Sequence, residues 1–173
     1  VVGGDTRGAG LVFGDELSGS AKDAAFPFQR GNQAYGNLFV GVGTGIHVRN
    51  NLTDDGYDTQ MVDTVIANNT VVATEGTRSA IVVTENLRGR PHRNVVVRDN
   101  AFHFSAAGRG AVIARCDAAG VRFERNGWSA RPGSRMQSAG DVYGELGLAN
   151  AGARLGERAM PELSDFRRLN YAP

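Results

Sequence analysis

Val95-Val96-Val97-Arg98-Asp99-Asn100-Ala101-Phe102 decides the fold, because the chain writes the same phrase again elsewhere. It returns as Val65-Ile66-Ala67-Asn68-Asn69-Thr70-Val71-Val72 and as Val121-Arg122-Phe123-Glu124-Arg125-Asn126-Gly127-Trp128. A fainter copy stands upstream at Ala34-Tyr35-Gly36-Asn37-Leu38-Phe39-Val40. Each is a β-type run, then an Asn, then a second short apolar run. The shared residues Asn37, Asn69, Asn100 and Asn126 follow at intervals of 32, 31 and 26, the mark of a structural repeat.

A second series lies between these phrases: Gly10-Leu11-Val12-Phe13, Gly45-Ile46-His47-Val48, Ala80-Ile81-Val82-Val83 and Ala111-Val112-Ile113-Ala114. Aligned on Leu11, Ile46, Ile81 and Val112 it steps by 35, 35 and 31. Two interleaved series with nearly one step imply three strands per repeat: one before a long loop, one leading into the Asn, one just after it. Apolar residues alternate rather than recurring at three and four, so the elements are strands. Asn-Gly and Asp-Gly hairpin turns are missing at most junctions. A chain that repeats the same three strand directions stacks into a coil of parallel strands.

The pattern V-x-V-x-x-N-x-[FVW], with G-[IL]-x-V between its copies, covers about residues 1 to 130. It resembles a right-handed parallel β-helix of the pectin-lyase-like superfamily. The resemblance implies an all-β solenoid with three strands per coil, residues 1–131 forming the coils and 132–173 an irregular tail packing on the last coil. It implies that the repeated Asn occupies a tight turn needing left-handed backbone, which Asn tolerates. Asn37, Asn69, Asn100 and Asn126 would then form a hydrogen-bonded ladder from coil to coil. Val1-Val2 aligns with Val71-Val72. The expectation is therefore a C-terminal fragment of a longer β-helix, with upstream coils or another chain at the N-terminal end.

Composition narrows the function classes. Net charge is +1, so overall charge favours neither nucleic acid nor an anionic membrane. No apolar run is long enough to span a bilayer, and no signal peptide is present in this chain. Lys22 is the only lysine among 19 basic residues. The single Cys116 forms no internal disulfide and points inward by alternation. His92 and His103 read as surface or satisfied structural histidines, and Trp128 as a core cap.

Aligned residues on parallel strands stand about 4.8 Å apart, so a column is a neighbourhood. Alternation sends Leu11/Phe13, Ile46/Val48, Ile81/Val83 and Val112/Ala114 inward. The outward columns are Val12, His47, Val82, Ile113 and Gly14, Arg49, Thr84, Arg115. At the strand ends Asp15, Asn50, Glu85 and Cys116 align, with Glu16, Asn51, Asn86 and Asp117 beside them. In the resembled superfamily this sheet, walled by long loops, is the usual polysaccharide groove. The expected function is a carbohydrate-active β-helix, extracellular or in the cell envelope, that binds or cleaves an acidic polysaccharide. His47, Arg49, Asp15 and Glu85 are the catalytic candidates; Glu16, Arg115 and Asp117 are the substrate-binding ones. A uronate lyase needs a cation against the sugar carboxylate and a base for the proton beside it, roles for Arg49 or Arg115 and for His47. Lyases of this fold often pair Lys with Arg, a pattern the lone Lys22 does not meet. Paired carboxylates for hydrolysis are the other chemistry, Asp15 or Glu16 opposite Glu85. No cofactor is required, and Asp54, Asp55 and Asp58 offer oxygen ligands for Ca²⁺, against the simpler reading of a solvated acidic turn. The alternative function is a non-catalytic structural or adhesive module, its charged columns only a solvated sheet face.

Overall fold

The computed structural model describes residues 2–3, 8–13, 28–49, 60–74, 76–84, 91–104, 114–116 and 118–148. Among these there is no α-helix; one 3-10 turn spans Ser134–Met136. The strands are β1 (Val2–Gly3), β2 (Ala9–Phe13), β3 (Phe28–Arg30), β4 (Gln33–Tyr35), β5 (Leu38–Val40), β6 (Thr44–Arg49), β7 (Gln60–Val62) and β8 (Val65–Ala67). They continue as β9 (Thr70–Ala73), β10 (Ser79–Thr84), β11 (Val95–Arg98), β12 (Ala101–Phe104), β13 (Ala114–Cys116), β14 (Val121–Glu124), β15 (Gly127–Trp128) and β16 (Val142–Tyr143).

Each strand pairs with its counterpart one repeat away, and every pairing among the described residues is parallel. The sheets run β1-β5-β9-β12-β15-β16, β13-β10-β6-β2, β14-β11-β8-β4 and β3-β7. The last departs from the three-strand expectation. Val62 also bridges to Arg93, so three successive repeats make a fourth short pass, at β3, β7 and Arg93. What reads in sequence as one weak strand from Gln29 to Gly36 is two strands, β3 and β4, broken at Gly31 (φ 70°).

Alternation accounts for the interior. Ile46, Val48, Ile81, Val83, Ile66, Val97, Val71 and Phe102 are all fully buried in one cluster. Burial of this apolar surface is the main force holding the stack. Trp128 closes the cluster, its ring stacked on Phe102 at 4.3 Å. Beyond it, Met136 of the 3-10 turn joins the same core, and β16 adds a further strand to the sheet of β15.

The corners are built from left-handed residues in register. One column is Gly31, Asp63, Asn94 and Gly120; the other is Gly36, Asn68, Asp99 and Arg125, all at positive φ. This corrects the expected turn geometry. The left-handed position belongs to the residue before each repeated Asn, and Asn37, Asn69, Asn100 and Asn126 are not among the positive-φ residues. Their amides face inward instead. The Asn69 side-chain oxygen accepts from the backbone N–H (3.0 Å) and side-chain amide (2.9 Å) of Asn37. Asn100 Oδ1 accepts the same pair from Asn69, at 2.9 and 3.0 Å. Asn126 Oδ1 accepts both from Asn100 at 3.0 Å. The inner rungs are fully buried, and their second amide protons reach Ala34, Ile66 and Val97 carbonyls.

Asn100→Ala should therefore cost about 2–4 kcal/mol, since it strands the Asn69 N–H and the Ile66 carbonyl in the core. Asn68→Gly, at an exposed left-handed corner, should stay within about 0.5 kcal/mol of the parent. Urea unfolding of both variants makes the comparison.

Candidate functional site

β6 carries the two side chains on which the candidate site rests. Alternation buries Ile46 and Val48 and turns His47 and Arg49 to the outer face, both half-buried. Two residues apart on one strand, they stand about 7 Å apart along it. In register, His47 lies between Val12 on β2, 44 % exposed, and Val82 on β10. Arg49 lies opposite Thr84. Burial among these neighbours pushes the His47 imidazole below its ordinary value, and the Arg49 charge pushes it in the same direction. The ring is therefore neutral at pH 7 and keeps a lone pair.

The register of β13 differs from the expected one. Strand starts align Val112 with Ile81, but the structure pairs Ile81 with Ala114, Val82 with Arg115 and Val83 with Cys116. A slip of two residues preserves the inward–outward parity of the strand, so apolar alternation cannot detect it. Arg115 consequently belongs to the row of His47 and Val82, not to the row of Arg49 and Thr84. Cys116 packs against the core as a half-buried thiol outside any disulfide, 3.6 Å from the Ala118 carbonyl. Asp15, Glu16, Glu85 and Asp117 lie outside the described residues, as do Asp54, Asp55 and Asp58. The structure thus brings His47 and Arg49 together, with Arg115 in the same sheet. Among the described residues no three His, Cys, Asp or Glu side chains gather as a metal-binding group.

His92 supports this sheet from within, which is the structural rather than the surface alternative of its sequence reading. It is 2 % exposed. Its Nδ1 accepts the Met61 backbone N–H at 3.2 Å, which leaves Nε2 to donate to the Thr84 carbonyl at 3.0 Å. One imidazole thus ties the end of β10, beside Arg49, to β7.

Other charged groups are engaged in the corners. Arg30 lies 3.6 Å from Asp63, which also accepts from Asn94 at 2.9 Å. Arg125 grips Asp99 with two bonds of 2.8 and 2.9 Å, and Arg98 adds a third of 2.6 Å. Burial acts to raise the Asp99 carboxyl, but the hydrogen bonds and charges of Arg125 and Arg98 outweigh it and hold the group below its ordinary value. Of the candidates named from the sequence, His47 and Arg49 are the two whose side chains are described together on one face. No protein family, no curated protein and no solved structure matches the chain.

Proposed function

We propose that the chain is a parallel β-helix of the pectin-lyase-like kind and that the outer face of β2, β6, β10 and β13 binds an acidic polysaccharide. Repeat-to-repeat parallel pairing and the inward amide bonds support the fold. The observation that carries the function is the pairing of a neutral His47 with Arg49 on one face of β6. A guanidinium binds a sugar carboxylate through two parallel hydrogen bonds. A neutral imidazole nearby accepts from a sugar hydroxyl. In a lyase, it takes the proton beside the carboxylate while the C–H electrons form the new double bond and the glycosidic oxygen leaves with a proton from solvent. Such a protein belongs outside the cell or in its envelope. None of its described helical turns is long and apolar enough to cross a membrane.

The test is calorimetric titration against oligouronates and neutral oligosaccharides. Arg49→Ala should weaken oligouronate binding about tenfold or more, the scale of one charge-assisted contact. Arg122→Ala, an exposed residue of another sheet paired with Glu124, should leave it unchanged. Binding that is absent throughout, or indifferent to Arg49, overturns the reading. The second reading is then a non-catalytic structural or adhesive module, which the uninterrupted bonding from Asn37 to Asn126 favours.

A further inference from the structure

The outer face of the six-stranded sheet is not left to solvent. Leu38 and Val40 on β5 and Val72 on β9 point away from the main core, yet they are only 5 %, 2 % and 1 % exposed. They form a second apolar cluster with Leu148. Two steps earlier, Leu146 lies over Gly127, where an added Cβ would stand 3.1 Å from Leu146 Cδ2. After β16 the chain therefore turns at Gly144 (φ 107°) and Gly147 (φ 59°) and runs back across the sheet from β15 toward β5. Residues 145–148 are a strap over that face.

His103 of β12 sits on the same face, in register with Val72. Its Nδ1 is buried and has no hydrogen-bond partner. A buried lone pair without a donor is tolerable; a buried N–H without an acceptor costs more. Neutral His103 thus carries its proton on Nε2, and a second proton has only the buried, unpartnered Nδ1 to occupy. Among the described residues, the register sets His103 beside Val72 of β9, Ser129 follows β15 on the other side, and the charge that acts on the ring is that of Glu145 in the strap. Ser129 Oγ accepts the Phe104 N–H. Glu145 is the charged group acting on His103, and it is exposed, so solvent screens its attraction.

We propose that residues 145–148 are an acid-released strap: protonation of His103 lifts it from the sheet and bares Leu38, Val40 and Val72. Burial holds the imidazole below its ordinary value and outweighs the opposing pull of Glu145. The sign follows. The closed strap is fully stable above the His103 value of the open state and loses stability as pH falls through the lower value of the closed state.

Hydrogen exchange on the full chain, corrected for intrinsic rates, tests this between about pH 7.5 and about pH 5. Protection of 145–148 should fall about fivefold or more in the parent, while β8 and β11 keep theirs. His103→Phe, which cannot titrate, should hold the strap at both pH values. Leu148→Ala should open it at both, giving the signature of the released state. Constant protection in the parent overturns the proposal. So does a pH effect that survives in His103→Phe, which would assign it to another group, or a loss shared equally by β8 and β11.

Discussion

Asp141→Ala is expected to destabilise the fold by about 3–5 kcal/mol, among the largest effects a single surface-accessible carboxylate can have. Asp141 stands where the next repeated Asn would stand. β16 pairs Val142 with Gly127, so Asp141 is the counterpart of Asn126, and its Oδ1 accepts the Asn126 N–H at 2.8 Å. The same carboxylate takes the Trp128 indole N–H at 3.2 Å, the Ser138 N–H at 2.9 Å and hydroxyl at 2.7 Å, and the Tyr143 hydroxyl at 3.2 Å. Ser138 in turn accepts the Arg125 N–H. Removing the carboxylate strands donors on the fully buried Trp128 and Asn126 together, which is why the cost exceeds that of one bond. Asp141→Asn keeps one acceptor oxygen and presents an amide to donors on the other side, so about half the loss should remain. Urea unfolding with unchanged m-values decides. A stability within about 0.5 kcal/mol of the parent for Asp141→Ala would remove the end rung from the account.

An Asp closes the bonding because it can do what the last rung requires and no more. Every inner Asn both donates onward and accepts from the previous repeat. Among the described residues no later rung follows Asp141, and there an acceptor-only side chain suffices. The sequence does not advertise this. Val142–Tyr143 is too short to alternate, and the spacing from Asn126 to Asp141 is half the usual repeat. The Asn positions, by contrast, were legible because the side chain itself recurs with the same flanks. Alternation located the inward face of β6 and β10 correctly, down to His47 and Arg49. It failed for β13, where a two-residue slip keeps parity, and it could not see β3 and β7, whose three residues carry no pattern. The left-handed corners escaped for a different reason. Asn68-Asn69 offers two candidates side by side, and only backbone geometry shows that the first turns the chain while the second bonds inward. Of the candidate site, the part written on β6 was readable. The partners expected from the loops were assigned by column position, which carries no information about loop conformation.

The sharpest test of the corner geometry is Gly120→Ala, expected to cost about 3 kcal/mol or more. Gly120 shares its column with Gly31, Asp63 and Asn94, all left-handed. Strain alone predicts similar penalties for Ala at both glycines, about 1 kcal/mol each. Space separates them. A Cβ at Gly31 would meet nothing within 4 Å, whereas one at Gly120 would collide with the His92 carbonyl oxygen and lie 2.6 Å from its carbon. That carbonyl has little freedom to yield, because the His92 ring is held at both nitrogens by Met61 and Thr84. The stronger comparison is Gly120→Asn. Asn occupies this very place one repeat earlier, as Asn94 at φ 53°, and tolerates left-handed backbone. Were conformation the whole penalty, Asn would recover most of it. Because the collision is with Cβ, which Ala and Asn share, Gly120→Asn should be as damaging as Gly120→Ala, while Gly31→Asn should be nearly neutral. Chemical denaturation of the four variants resolves the matter: recovery of Gly120→Asn to within about 0.5 kcal/mol of the parent would mean that the His92 backbone does not approach Gly120 so closely.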